Sequence, residues 1–411
     1  MFTRRSILIA LALTLPVSAE TITLPRFPGE AFSSPVTAET IDASTFAEWV
    51  DGKLTPVVPI EGKKDFGPAN LFCTPTNNPG HQSLRFGDTN TPGPRHLRVG
   101  FKDNIPVGTI ITKDGGAVSV LKPGATFPGD PSDDSQWIPA QRISKSGITS
   151  VEPGENENLA LWSLPPGTST RAIRFTHVAK VTDTEYHGTL SGVIISSERF
   201  TDETIVAVAG ASINNQYAHR IINRSHDAWS AWENNEKGKA AETAPVISTE
   251  HPEFVTLTWR EPVALDGLVA IWAGISTAEV HLFEGPASHD PKDAPESDWK
   301  PVATYEEIKH NYASQFWPNL LKFPKTLKTR AIRVRALKAG ANMSHANNNG
   351  GKRLWLGELI AIRAIGKEPL KAPTTSVAKD DTPKAPIPIK FNLSKPGTVS
   401  LVIEKPDGFR V

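Results

Sequence analysis

The sequence repeats itself at a spacing of about 160 residues, and this feature constrains the fold more than any other. Residues 170–175, Thr-Arg-Ala-Ile-Arg-Phe, return 159 positions later as Thr-Arg-Ala-Ile-Arg-Val at 329–334. Units of solenoid proteins are roughly 20 to 50 residues long, so a repeat of this length indicates two related domains, the first and second modules. Three more motif pairs keep the same order: Trp137-Ile-Pro139 with Trp299-Lys-Pro301, Leu97 to Phe101 with Val255 to Trp259, and Leu190 to Ile195 with Trp355 to Ile360.

The N-terminus has the pattern of an export signal. Arg4 and Arg5 precede an apolar run from Ile7 to Leu15, and the small residues up to Ala19 form a cleavage site. Residues 1–19 are therefore interpreted as a signal peptide, and the paired arginines leave open the twin-arginine route as well as ordinary secretion. The apolar run is too short to span a bilayer, so we expect a secreted or periplasmic protein without a membrane span.

Charge and cysteine content exclude several classes of function. The chain of 411 residues has 44 basic and 44 acidic side chains, which offers no electrostatic basis for binding nucleic acid. Cys73 is the sole cysteine, so no intrachain disulfide can form, and we expect it to be a small buried residue.

Short β-branched and aromatic runs, separated by clusters of Pro, Gly, Asn and Asp, predict an all-β fold. The run from Ile332 to Leu337 alternates apolar and basic residues, as a strand does with one face on a core and the other in water. Each module is thus predicted to be an antiparallel β-sandwich, the first over residues 20–200 and the second over 201–366. A short helix is expected over residues 226–237, with Ser225 as its N-cap.

The composition changes after Gly366. Residues 367–386 are rich in proline and read as a semi-stiff linker. Residues 387–411 contain two alternating runs and a Pro-Asp-Gly turn, which predict a β-hairpin. Because two strands cannot bury a core, we interpret this segment as the start of a third domain.

The second module resembles a known family. Asp298-Trp299 with Val302, then Ala331-Ile332-Arg333, and finally Glu358-Leu359-Ile360 follow the order of motifs in the discoidin, or coagulation-factor C-type, domains of the galactose-binding-like superfamily. The first module resembles it too, with an early Asp51-Gly52 loop, but has Val193 where the second module has Glu358. The resemblance implies jelly-roll sandwiches that bind glycans, lipids or proteins through loops at one end. Residues 387–411 are similar to the opening hairpin of bacterial immunoglobulin-like domains.

The resemblance also implies a structural calcium ion. Family members place an acidic side chain at the position of Glu358, where loop carbonyls complete the site. Calcium requires six to eight oxygen ligands, and Asp227 is the nearest candidate for a second carboxylate. The alternative interpretation of Glu358 is a solvent-facing glutamate of a strand.

Two loop segments of the second module are the predicted ligand site. Flat aromatic rings can cover the apolar face of a sugar while amides and imidazoles bind its hydroxyls. The alternatives are a tryptophan folded onto the sandwich edge and a mobile asparagine loop. The candidate residues are Tyr312, Phe316 and Trp317 in the first segment, and His345, Asn347 and Asn348 in the second.

No motif of a hydrolase, a phosphate loop, a dinucleotide fold or a zinc site occurs in the sequence. We therefore expect an exported, non-catalytic protein that binds an extracellular glycan or cell-surface polymer. Two alternatives stay open. The modules could be scaffold domains without a small ligand, or they could be the targeting arm of a larger secreted hydrolase.

Overall fold

A computed structural model describes residues 19–32, 36–57, 68–73, 84–85, 92–144, 147–153, 157, 159–179, 189–224, 231–234, 244–308, 318–340 and 350–373. The described chain is almost entirely β-structure, which confirms the predicted fold class. The strands of residues 20–200 are β1 Glu20–Thr23, β2 Ile41–Val50, β3 Lys53–Pro56, β4 Leu84–Arg85, β5 Gly93–Pro106, β6 Thr109–Asp114, β7 Ala117–Leu121, β8 Trp137–Pro139, β9 Gln141–Ser144, β10 Gly147–Thr149, β11 Leu159–Ser163, β12 Ser169–Ala179, β13 Thr189–Ser196 and β14, which begins at Phe200 and ends at Asp202.

The remaining strands are β15 Val208–Ala211, β16 Trp232–Glu233, β17 Glu253–Ala273, β18 Ile275–Phe283, β19 Trp299–Glu306, β20 Pro318–Ala339 and β21 Trp355–Ala364. The helices of the described residues are short 3-10 turns at Pro28–Phe32, Pro68–Leu71, Asp134–Gln136, Glu203–Val206, Asn215–Ile222 and Glu296–Asp298. Within this part of the chain, no helix is long and apolar enough to cross a membrane.

The first module is a sandwich of two six-stranded sheets. One sheet has the order β10-β9-β11-β6-β13-β4, and the other has the order β3-β2-β5-β12-β7-β8. Side chains that alternate along the strands fill the space between the sheets, and Trp162, Val99 and Phe175 are completely buried there. Cys73 is buried, as predicted.

The second module is also a sandwich, but two long strands run through both of its layers. Strand β17 is 21 residues long and continues through the repeated segment Val255 to Trp259 as far as Ala273. Its pairing with β20 is interrupted between Thr258 and Val263, where Pro262 supplies no backbone donor. The first half of β17 pairs in one layer with β15 and β20, and its second half pairs in the other layer with β20 and β21.

The repeated Thr-Arg-Ala motif forms the same local structure twice. Thr170 donates its hydroxyl to the carbonyls of Leu121 and Ala172, at 3.0 and 2.9 Å. Thr329 likewise donates to the carbonyls of Phe283 and Ala331, at 3.1 and 2.8 Å. Trp137, Trp299 and Trp355, which belong to the repeated motifs, are at most 6% exposed, so their rings are buried.

Strand β1 joins the sheet of the second module, although residues 20–23 lie at the start of the range predicted for the first module. Residues 20–23 pair in parallel with residues 303–306 of β19. Leu24 follows and is buried in the core of the second module.

The two modules share an apolar contact, which we call the inter-module cluster. On the first module it is formed by the outer face of a sheet, where Ile111, Leu159 and Ile194 alternate with core residues of the same strands. The second module contributes the outer face of β17, β20 and β21, together with residues beside it, in the set Phe200, Ala231, Val269, Ile271, Ala273, Leu320, Trp355, Ile360 and Ile362. These sheets are therefore buried on both faces.

The connection between the modules adds polar contacts to this cluster. The backbone N–H of Phe200 donates to the hydroxyl of Thr109 at 2.8 Å, and Nε of Arg199 donates to the carbonyl of Leu164 at 2.7 Å. Lys322 pairs with Glu198 at 3.1 Å. Residues 198–200 therefore contact both modules.

Several sequence predictions fall outside the described residues. These are the signal peptide up to residue 18 and the segment from 374 to 411, with most of the linker and the whole hairpin. The helix expected over 226–237 is wrong where the structure describes it, because Trp232 and Glu233 form β16 and pair with Leu356 and Trp355.

We expect the mature chain to unfold in a single calorimetric transition, because each module buries the outer face of the other. Ile194→Asp should split it into two transitions, since a carboxylate in the inter-module cluster loses its hydration without gaining a partner. The matched control is Ile148→Asp in the same sheet, where the side chain is 42% exposed. Two transitions in the unmodified chain would contradict the coupling.

Candidate functional site

The loops of the second module converge at one end of its sandwich, which we call the loop end. Here β17 turns directly into β18 through Gly274, whose φ of +83° lies in the left-handed region. A Cβ on this residue would lie 2.7 Å from the carbonyl oxygen of Arg353. The backbone N–H of Gly340 donates to the carbonyl of Gly274 at 2.8 Å, so the end of β20 is held at the same place.

The predicted ligand residues Tyr312, Phe316, Trp317, His345, Asn347 and Asn348 lie outside the described residues. The described residues that flank both segments are at the loop end. Ile308 donates its N–H to the carbonyl of Ser276, and Pro318 lies opposite Ile271 in the sheet. Gly340 and Gly350 flank the second segment. Both predicted segments thus leave and re-enter the sandwich at the loop end.

An exposed aromatic side chain that sequence reasoning missed lies in the 3-10 turn Asn215–Ile222. Tyr217 is 42% exposed, and the guanidinium of Arg220 lies 4.5 Å from the centre of its ring. Arg220 also donates to the carbonyl of Ala231 at 3.3 Å. The pair presents a flat ring and a cation beside it to solvent. The polar run Asn214-Asn215-Gln216 before this tyrosine is the sequence signal that could have identified it.

Buried polar contacts fix the loops around this tyrosine. Trp232 Nε1 donates to the carbonyl of Ile213 at 3.1 Å, and the side-chain amide of Asn214 donates to the carbonyl of Glu233 at 2.9 Å. Asn234 accepts from the N–H of Leu354 at 3.0 Å, and Arg353 pairs with Glu233 at 2.6 Å. These contacts therefore link residues 213–214, 231–234 and 353–354 to one another.

Glu358 is completely buried, and Arg224 binds both of its carboxylate oxygens. The guanidinium of Arg224 donates to Oε1 at 2.7 Å, and the backbone N–H of the same residue donates to Oε2 at 2.6 Å. The guanidinium also pairs with Asp202 and donates to the hydroxyl of Thr204 at 2.9 Å. Arg224 has a φ of 69°, a left-handed conformation that is strained for a side chain with a Cβ.

The cluster has two buried carboxylates and one cation. Burial raises the pKa of Glu358 to about 8, although Arg224 opposes this shift and the nearby charge of Asp202 adds to it. Burial also acts to lower the pKa of the Arg224 guanidinium, but the two carboxylates outweigh burial and raise it, so the arginine stays charged. One guanidinium cannot neutralise both carboxylates, which favours a proton on Glu358.

The described residues around Glu358 do not fit a calcium ion. Calcium takes six to eight oxygen ligands at 2.3–2.6 Å. Here both oxygens of Glu358 accept hydrogen bonds, and a guanidinium separates it from Asp202. Among the described residues, no group of three or more His, Cys, Asp or Glu side chains could hold a metal. Asp227, the other predicted ligand, lies outside this part of the chain, so its role stays a prediction.

The first module has an apolar residue at the matching position. Val193 is completely buried in the core of the first module. Asp51 and Gly52 form the turn between β2 and β3, with φ angles of 50° and 82°, the left-handed pair required by a type I′ turn. The buried ion cluster is thus a feature of the second module, because the matching position of the first module has no charged group.

Two hollows lie where the modules meet. A cavity of about 60 Å³ is lined by residues of both, including Arg142, Glu157 and Ser163 from the first module and Asp202 and Arg224 from the second. The hydroxyl of Ser163 is buried there without a hydrogen-bond partner among the described residues. This volume holds a few water molecules. A more open groove of about 340 Å³ is formed by residues 106–108, 166–169, 197–199, 364 and 366–367, and no aromatic side chain lines it.

Comparisons with known proteins give distant structural likenesses only. No family model and no curated protein matches the sequence. A carbohydrate-binding module of Clostridium perfringens, solved with GalNAc-β-1,3-galactose, is 12% identical with a TM-score of 0.26, and the match covers 38% of this chain and 96% of that one. The family 32 module of Clostridium perfringens NanJ, solved with galactose, is also 12% identical with a TM-score of 0.26, over 39% and 96%.

A fucolectin from the serum of striped bass, Morone saxatilis, is 10% identical with a TM-score of 0.26, and the match covers 68% of this chain and 89% of that one. Likenesses at this level assign neither a ligand nor a family to the chain.

The raised pKa of Glu358 makes the stability of the fold depend on pH. The folded state holds this proton more tightly than the unfolded state, so the contribution is present below about pH 4.5 and is lost as the pH rises towards about 8. Glu358→Gln cannot ionise. We expect the melting temperature of the unmodified protein, relative to that of Glu358→Gln, to fall between pH 5 and pH 8.5.

The control for this comparison is Glu284→Gln. Glu284 is 43% exposed and pairs with Lys300 at the surface. This variant keeps Glu358, so its melting temperature, relative to that of Glu358→Gln, should show the same fall with pH. A constant difference between the unmodified protein and Glu358→Gln would show that the buried carboxyl does not titrate in this range.

Proposed function

We propose that the chain is an exported, non-catalytic binding protein that holds an extracellular carbohydrate at the loop end of the second module. The observation that carries the proposal is the convergence of the loops. The exposed Tyr217–Arg220 pair and the described residues that flank both predicted ligand segments occupy the same end of one sandwich.

The chemistry of this end suits a sugar. An exposed aromatic ring can cover the apolar face of a pyranose, and the neighbouring guanidinium and amides can bind its hydroxyl groups. Tyr217 supplies a ring in the described part, with Gln216 exposed and His219 half-buried beside it. The predicted segments would add Trp317 and the amides of Asn347 and Asn348.

The polar contacts of the described loops around Tyr217 support affinity. Binding costs less free energy when the loops that contact the ligand are already ordered. Trp232, Asn234 and the Glu233–Arg353 pair hold the loops on the sandwich without using the exposed ring of Tyr217.

A scaffold role is favoured for the first module. The outer face of one of its sheets is buried in the inter-module cluster, and the position that matches Glu358 holds an apolar residue. On this view the first module positions the second and contributes no ligand site of its own.

We expect the mature chain to bind a subset of glycans on an array. Tyr217→Ala and Trp317→Ala should each weaken binding at least tenfold, because stacking of a sugar on an aromatic ring is lost. Isothermal titration with the best glycan gives the affinities. Ile148→Ala on the first module is the control, since this side chain has the same 42% exposure as Tyr217 and lies outside the loop end.

The melting temperature of each variant shows whether it is folded. Unchanged affinity in both folded aromatic variants would place the ligand elsewhere. Absence of binding to every glycan by the folded, unmodified chain would favour the scaffold role for both modules.

A further inference from the structure

We propose that Arg224 takes the place of a bound cation in the second module, so that the loop end is held in its folded form by an internal guanidinium and requires no calcium at Glu358. This inference concerns the buried cluster of Asp202, Arg224 and Glu358. It does not rest on the proposed glycan binding and is tested without a glycan.

The contacts of Arg224 have the pattern of a cation in an oxygen site. Three oxygen-bearing side chains, those of Asp202, Thr204 and Glu358, surround a single guanidinium. The backbone N–H of Arg224 also donates to Glu358, so one residue supplies donors from both its main chain and its side chain. The Arg224 side chain is 12% exposed, and its two carboxylate partners are 6% and 0% exposed.

The backbone of Arg224 supports the same interpretation. A non-glycine residue in the left-handed region persists where its surroundings compensate for the strain. Here the left-handed conformation directs the N–H to Oε2 while the side chain reaches Oε1 of the same carboxyl group. The two hydrogen bonds to Glu358 thus compensate for the strain of the left-handed backbone.

The position of Arg224 in the chain lets the buried cluster connect a loop to the strands of the sandwich. Arg224 closely follows the 3-10 turn Asn215–Ile222 that carries Tyr217, and its carboxyl partners lie in β14 and β21 of the sandwich. The guanidinium therefore connects this loop to two strands. A metal ion coordinated by carboxylates of both strands would make the same connection. Arg224 is in this sense a positioning residue.

The test is thermal unfolding of the mature chain in EDTA and in millimolar calcium chloride. For the unmodified protein we expect the shift in melting temperature between the two conditions to be the same as in Glu358→Gln. A rise with calcium in the unmodified protein that Glu358→Gln abolishes would overturn the proposal. This arm needs no substitution at Arg224.

A second experiment removes the guanidinium from the cluster. Asparagine tolerates the left-handed conformation, so Arg224→Asn should remove the cation from between the two buried carboxyl groups and keep the backbone N–H that donates to Glu358. We expect a melting temperature several degrees lower in EDTA, and a rise with increasing calcium that the unmodified protein does not show. A variant that is folded but unresponsive to calcium would show that the vacated carboxylates are not a cation site, which contradicts the proposal.

The matched control is Arg353→Asn at the same end of the module. Arg353 pairs with Glu233, and both side chains are more exposed than the buried cluster, at 29% and 23%. Its loss leaves no pair of buried carboxylates, so calcium should not change its melting temperature. Arg224→Lys, which keeps the charge, should be folded and unresponsive to calcium; a calcium response in this variant would count against the proposal.

Discussion

The burial of both faces of the sheets at the junction is the constraint on which the rest of the structure depends. An antiparallel sheet is stable with one face in water, but the strands β6, β11 and β13 carry apolar side chains on both faces. The outer set has to be covered, and the second module covers it with an equally apolar face. The relative placement of the modules follows from this contact and from the short connection at residues 197–199.

The same contact explains why one chain can hold two similar sandwiches with different roles. The first module buries a sheet face against the second, whereas the second exposes the ring of Tyr217 at its loop end. The two modules also differ in buried charge. The matching strand position holds the apolar Val193 in the first module and Glu358 in the second, where Arg224 pairs with the carboxyl group.

Much of the fold could be predicted from the sequence, because strand periodicity is a local signal and the internal repeat is visible in the linear sequence. The sequence also contains a pattern that predicts the contact between the modules. Val193-Ile194-Ile195 and Leu359-Ile360-Ala361-Ile362 are continuous apolar runs, which are typical of strands buried on both faces. Glu358 was found through its motif, but its partner Arg224 is 134 residues away in the chain, a separation at which no periodicity is informative. Tyr217 was missed because it lies in a turn between two strand patterns.

The parallel pairing of β1 with β19 sets the order in which the protein can assemble. Glu20 emerges from the ribosome about 280 residues before its partner Ala303. At synthesis rates of about 5 to 20 residues per second, this interval lasts roughly 15 to 60 seconds. The entire first module is synthesised within it, so that module can fold while the leading strand has no sheet to join. The first strand of the chain thus has no partner until the first module and more than half of the second have been synthesised.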